Sequence, residues 1–344
     1  MEIKTVTTKE EWEKFLLSQS PNSFLQSWNW GVFNEAIARK IFRLGAYEDN
    51  ELVAVCLLVK QETRLADYFY CSRGPILDWK NEKLFKSLLQ KTKELAKEEK
   101  VDFVKMDPLL PETPEYNQFF AEYGFKRAVT FVQVEDAWSL DLSKSEEELL
   151  ADMRKTTRYL VRNEPKQGVH IELSASQEDI KDFVDLLFET AARKSFVNHT
   201  KSYYIKQFEI FAGDDQMRIF KSIRDGKVQA MAVIVFYGET AHYLHGASRP
   251  EAGSVGYSLQ WAAIQEAKRR GLRYYNFWGV VKDKHFHPKH PWYGFSLFKK
   301  GFGGFPYTYI RAQDLPITPK YWLYRAAENA RRYYKRLREG YWYD

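Results

Sequence analysis

At 344 residues, 44% hydrophobic and 28% charged, the chain has the length of two ordinary domains and a globular composition, which excludes a disordered or fibrous protein. No stretch reaches the roughly 18 uninterrupted apolar residues of a membrane span, and the opening MEIKTVTTKEEWEKF lacks the regions of a signal peptide, so the cytoplasm is the expected location. Net charge is +6, and seven Lys or Arg against Glu328 and Glu339 place nearly all of the excess between Lys320 and Glu339, which points to an anionic partner.

In chain order, the first clear element is a hairpin over 41–61, IFRLGAYEDNELVAVCLLVKQ, turning at Asp49-Asn50, a pair that tolerates positive φ. A third strand is expected at 67–79, then a helix over 82–100 with apolar residues at helical spacing, then a buried strand over 101–108. Cys56 and Cys71 fall inside strand-like apolar runs and read as small core residues. Segment 141–168 opens on Ser145 ahead of acidic residues, an N-cap pattern, and then turns basic. Arg154, Arg158 and Arg162 recur every fourth residue on one helix face, which is either a solvated face or a phosphate or RNA contact.

The order then repeats. A hairpin over 218–238 turns at Asp225-Gly226, a strand follows at 241–248, a helix over 256–271 closes on Gly271, and a buried strand spans 272–280. His285, His287 and His290 lie close together without a Cys partner or an HExxH motif, so no metal site is expected. Pro319 marks the start of a last helix, whose apolar positions 322, 326, 330, 333 and 337 predict an element packed on a lobe with a basic exposed face. Contact with nucleic acid, or peripheral association with an anionic membrane, is compatible with that packing. The dense aromatics (22 Tyr, 24 Phe, 10 Trp) are expected to fill cores, the alternative being a groove for a sugar, base or peptide.

Hairpin, strand, amphipathic helix and strand in that order make the core of an acetyltransferase-like (GNAT) unit. Two copies predict an α/β protein of tandem GNAT-like domains with mixed sheets. In such a unit the sheet splays between the strands before and after the helix, and acyl donor or acceptor lies in the splay.

Specific strings add a family. SFLQSWNWG (23–31), RGPILDW (73–79), FVKMDP (103–108), MRKTTRYLVR (153–162), HYLHGAS (242–248) and above all GFSLFKKGFGG (294–304) occur in order along nearly the whole chain. Together they resemble the Fem peptidoglycan transferases (FemABX), in the short form that lacks a helical arm. The resemblance implies transfer of an aminoacyl group from aminoacyl-tRNA, a co-substrate, to the stem peptide of UDP-MurNAc-pentapeptide or lipid II, with no cofactor. It also implies a first domain of 1–145 plus 316–344, whose C-terminal helix returns to it, and a second domain of 146–315.

The ester in the donor is already activated, so positioning and oxyanion stabilisation are the chemistry to look for, and no GxSxG elbow is present. By resemblance Lys299 steadies the transition-state charge or the tRNA end, from what the flanking Gly294, Gly301, Gly303 and Gly304 suggest is a close-approach loop. Phe298 matches a position packing on the terminal adenosine. Asp107 matches a carboxylate that orients or deprotonates the amine, or else caps its strand. Tyr203 matches a tyrosine holding the sugar-phosphate part of the precursor. The chain departs from the pattern where a diphosphate-binding lysine becomes Val32, leaving Arg39 and Lys40 nearby, and where an arginine and a tyrosine become His199 and His245.

Two other functions compete. An acyl-CoA-dependent N-acyltransferase would need a pyrophosphate-cradling turn, but Gly253 and Gly256 in RPEAGSVGYSL have the wrong spacing from Arg249, and DWKNEKLF (78–85) has no glycine. A non-catalytic tRNA-binding module would use Arg154, Arg158, Arg162 and the C-terminal helix.

Overall fold

The chain opens with β1 (Glu2–Thr5) and the helices α1 (Lys9–Ser18) and α2 (Trp28–Ala36), the latter started by Ser27, whose hydroxyl accepts from the Trp30 N–H. The computed structural model describes residues 1–194 and 196–339. β2 (Ile41–Glu48) and β3 (Glu51–Gln61) form a hairpin in which Asp49 and Asn50 both take left-handed φ, 49° and 67°, as its two-residue turn requires. β4 (Tyr68–Cys71) is shorter than the expected strand because the chain turns away at Arg73, φ 54°. α3 (Glu82–Glu98) buries Leu84, Phe85, Leu88, Leu89 and Ala96, and leads to β5 (Phe103–Met106), parallel to β4. α4 (Pro114–Glu122) and β6 (Lys126–Arg127) follow.

The next stretch is β7 (Asp136–Asp141), then α5 (Glu146–Asp152), which starts with a capping box between Ser145 and Glu148, and α6 (Lys155–Asn163). β8 (His170–Ser174), α7 (Gln177–Lys194) and α8 (Lys201–Gly213) come before a second hairpin, β9 (Met217–Arg224) and β10 (Lys227–Tyr237). β11 (Thr240–Ser248), α9 (Gly256–Arg269), β12 (Tyr274–Gly279), α10 (Tyr293–Lys300) and β13 (Phe305–Thr308) complete it. The chain ends with β14 (Gln313–Pro316) and α11 (Lys320–Glu339), and residues 340–344 lie outside the described residues.

Two seven-stranded sheets result, ordered β1-β2-β3-β4-β5-β14-β6 and β13-β7-β12-β11-β10-β9-β8. Read from β8, the second sheet repeats the first: an antiparallel meander, one parallel pair (β4–β5, β11–β12), then an antiparallel strand beside the last (β14, β7). This is the internal repeat in three dimensions. Each sheet has its own core, Phe69, Phe85, Val104 and Phe120 in one, Ile234, Ile264, Tyr275 and Phe277 in the other. Trp79, Phe85, Phe119, Phe120 and Phe125 pack on one another, so these aromatics fill core. Cys56 and Cys71 are free thiols buried on neighbouring strands.

The structure corrects three expectations. The chain divides after Glu135 and after Tyr307, ahead of the expected 145 and 315, because β7 already belongs to the second sheet and the chain from Thr308 on to the first unit. The basic helix is interrupted: Arg154 is the N-cap of α6, and Arg158 donates to the Ala151 carbonyl at the end of α5, 3.2 Å, so the three arginines do not form one uniform face. In α11, Tyr321 is fully buried against Phe103, and Tyr324 packs on it too, whereas the stripe 322, 326, 330, 333 and 337 is exposed. The inward face is made by Tyr321, Tyr324 and Arg325, which the apolar count did not single out.

A buried ion pair ties β14 to β5: Lys105 Nζ lies 2.6 Å from Asp314 Oδ1, both 1% exposed. Tyr321 on α11 donates to Asp314 at 3.4 Å, and Arg325 donates to the Tyr321 hydroxyl at 2.9 Å. Among the described residues no helix is long and apolar enough to cross a membrane.

Candidate active site

In the second unit the parallel pairing of β11 and β12 covers only Thr240–His242 against Tyr274–Asn276. Beyond it β11 continues to Ser248, while β12 bulges against β7 between Asn276 and Gly279. Trp278 sits in that bulge at φ 65°, a strained conformation for a large side chain, and the Asn276 side chain holds it by accepting the Trp278 N–H at 2.7 Å. The bulge turns the Gly279 carbonyl toward α10.

Lys299 meets it there. Its Nζ donates to the Gly279 carbonyl at 2.7 Å, lies 3.6 Å from the centre of the Phe295 ring, and is 5.9 Å from that of Tyr243. The side chain is 1% exposed, and no carboxylate pairs with it among the described residues. Burial therefore drives its pKa well below the ordinary lysine value. A second link fastens the helix: the Val281 N–H donates to the buried Ser296 hydroxyl at 2.9 Å.

Lys299 is thus helical, not on a loop. The close approach belongs to the turn after it, where Gly303 and Gly304 take φ of 81° and 90°. A Cβ on Gly304 would run into the Ser139 carbonyl oxygen, and one on Gly303 into the Asp152 backbone. Phe298, half-buried on the neighbouring turn, packs on Tyr257 and Phe302 with ring centres 4.8 and 5.4 Å away.

Three other expected residues gather in the same unit. His199 stacks on Tyr203 at 4.0 Å, and the adjacent Tyr204 meets His245 edge-on at 5.1 Å. Burial, with His199 nearby, pushes His245 down to about 4, so it is a neutral imidazole at physiological pH and its Nε2 has no hydrogen-bond partner among the described residues. β11 links the two groups, carrying Tyr243 toward Lys299 and His245 toward Tyr204 on either side of Leu244, where its pairing with β10 slips by one residue.

In the first unit Asp107 follows β5 and is buried with both oxygens engaged: Oδ2 accepts from the Tyr70 hydroxyl at 2.6 Å and Oδ1 from the Arg73 N–H at 2.7 Å. Burial raises its pKa, partly offset by the Arg73 charge and the Tyr70 hydrogen bond. Arg73 is itself fixed, donating to the Val134 carbonyl at 2.6 Å with its guanidinium over the Tyr309 ring at 4.0 Å. This geometry is a strand-end cap holding the left-handed turn at Arg73.

Lys40 is not brought to Asp107. It lies three strands across the sheet in the row of Val104, and its ammonium pairs with Glu99 at the end of α3, 2.5 Å. A partner so distant in sequence carries no local signal. Two features went unread for the same reason, the Lys105–Asp314 pair and Glu164. The Glu164 carboxylate is buried at the start of α9, accepting the Ser258 N–H at 3.1 Å and the Ser258 hydroxyl. It occupies the helix N-terminus where a GNAT unit would take a pyrophosphate. At the start of α3, Asn81 caps the Leu84 N–H at 3.0 Å and Glu82 follows it.

A family model described as the FemAB family matches residues 7–224 and 214–329. The chain belongs to the FemAB family. Among the relatives of this FemAB-family chain is the lipid II:glycine glycyltransferase of Staphylococcus aureus (strain MRSA252), 22% identical over 86% of this chain and 88% of that protein. A crystal structure of FemX superposes with TM-score 0.85 at 22% identity, over 95% of this chain and 100% of the other. A tandem GNAT protein from the clavulanic acid biosynthesis pathway gives 0.59 at 12% identity, over 92% and 99%. The FemAB-family chain therefore has the tandem GNAT-like fold with two mixed sheets.

Proposed function

We propose that this chain is an aminoacyltransferase of peptidoglycan bridge formation, moving an amino acid from aminoacyl-tRNA to the stem-peptide amine of a muramyl precursor, UDP-linked or lipid-linked. The observation that carries the reading is Lys299, a buried ammonium with a carbonyl and a ring for company and no counter-charge, at the splay of β11 and β12. A site of that kind is completed by an anion. The reaction supplies one: the amine nitrogen bonds to the ester carbonyl carbon, the carbonyl oxygen becomes an oxyanion, and collapse expels the ribose oxygen of tRNA, which takes up the proton the amine loses. No cofactor enters this scheme.

Phe298 would pack on the terminal adenosine, and His199, Tyr203 and His245 would hold the sugar-phosphate part of the acceptor through hydrogen bonds and stacking. Asp107 fits a positioning residue, since a base would have to give up Tyr70 or Arg73 first. Against an acyl-CoA donor stands Glu164, whose negative charge at the start of α9 would repel a pyrophosphate. Against a purely RNA-binding role stands Arg158, engaged on the end of α5.

The test supplies purified protein with charged tRNA and either UDP-MurNAc-pentapeptide or its lipid-linked form. A product heavier by one residue is expected, and Lys299→Met should lower turnover about 10²–10³-fold. Undiminished turnover in that variant would remove Lys299 from the reaction, and transfer from acyl-CoA in place of tRNA would overturn the donor.

A further inference from the structure

α11 turns its most apolar side away from the protein. Tyr321, Tyr324, Arg325, Glu328 and Arg332 form the inward stripe, all at least partly buried. At 100° per residue, Trp322, Leu323, Ala326, Ala330, Tyr333, Tyr334 and Leu337 fall within roughly 120° on the opposite side. Every one of the seven is exposed, the five large ones between 51% and 73%. No charged residue interrupts this arc. Its borders are cationic: Arg336 on one side, Arg331 and Arg338 on the other, all exposed.

We propose that this face of α11 docks on an anionic lipid bilayer surface. A helix lying in a membrane interface needs an uninterrupted apolar arc to enter the acyl boundary, Trp and Tyr at headgroup depth, and long cationic side chains beside the arc. The outward side of α11 has all three. The arginine stems can lie along the apolar surface while their guanidinium groups reach lipid phosphates. A second copy of the chain fits less well, because apposing two such faces would bring the rims of Arg331, Arg336 and Arg338 together with like charge. RNA fits less well too, since Leu323 and Leu337 within the arc offer a phosphate nothing. The inference rests on exposure and charge in α11 and holds whichever acyl donor the protein uses.

The test is sedimentation of the full-length protein with vesicles of phosphatidylcholine alone or mixed with phosphatidylglycerol. Binding is expected to the mixed vesicles and to weaken with salt. The double variant Leu323→Glu/Leu337→Glu should lower it at least about tenfold by placing two charges inside the arc. Both side chains are exposed, so its melting temperature should match the parent's. An environment-sensitive dye on Leu337→Cys should shift to the blue when the mixed vesicles are added. Three outcomes overturn the proposal: equal sedimentation of parent and double variant, a dye spectrum unmoved by vesicles, or a parent that ignores vesicles but dimerises through this face as the variant does not.

Discussion

Lys299 is an expensive residue to keep. An ammonium buried against one carbonyl and one aromatic face loses most of its hydration without gaining a counter-charge. The sign of the consequence follows from its lowered pKa. The unfolded chain binds the proton more readily, so native stability contributed at this site rises with pH from the folded pKa up to about 10 and is lowest beneath it. Lys299→Met keeps the volume and removes the penalty. The variant should melt higher than the parent, by more near about pH 7 than near about pH 10, while transfer is lost. Calorimetry at the two pH values checks this, and a variant that melts lower at both would mean that the Gly279 hydrogen bond and the Phe295 contact outweigh desolvation. At this scale legibility was mixed. The string around Lys299 was readable, but its helical setting was not, because glycines that serve the following turn look like glycines of a loop. The pairing of Lys40 with Glu99 left no local trace in the sequence.

Among the elements, β14 depends most on one interaction. Four residues long, it is inserted between β5 and β6, and the charge of Asp314 is answered by Lys105 in the neighbouring strand. Removing one member of a buried pair strands the other. Asp314→Ala should therefore cost about 3–5 kcal/mol in urea unfolding, whereas Lys105→Met/Asp314→Leu together should come close to neutral. Equal losses in the single and double variants would show that the pair is not coupled. Both hairpins, the amphipathic helices α3 and α9, and the Ser145 cap were legible, since turn chemistry and periodicity are local. Lys105 lies inside the buried run FVKMDP, but the strand that holds its partner, β14, is too short for any pattern to reveal. The orientation of α11 misled for a related reason. Its inward face mixes aromatic with hydrogen-bonded polar side chains, so counting apolar residues selected the other side.

At the scale of the whole chain, the two units differ in how they are written. The second is contiguous, Asp136–Tyr307, and contains a seven-stranded sheet with its own core. The first is split, and the part from Thr308 on supplies β14 and α11. Without that part β5 would present a bare edge, Lys105 would face it with no counter-charge, β6 would lose its partner strand, and Phe103 would lose Tyr321 and Tyr324. A buried charge without a partner costs about 3–5 kcal/mol, a large share of the ordinary marginal stability of a domain, and the lost strand pairing and aromatic contacts add to it. Residues 136–307 produced alone should therefore unfold in one cooperative transition, and residues 1–135 should show none until a 308–344 segment is co-expressed with them. Circular dichroism against temperature distinguishes the cases. Cooperative melting of 1–135 alone would mean that its meander and α3 suffice, and that the strand arriving last decorates a unit already formed.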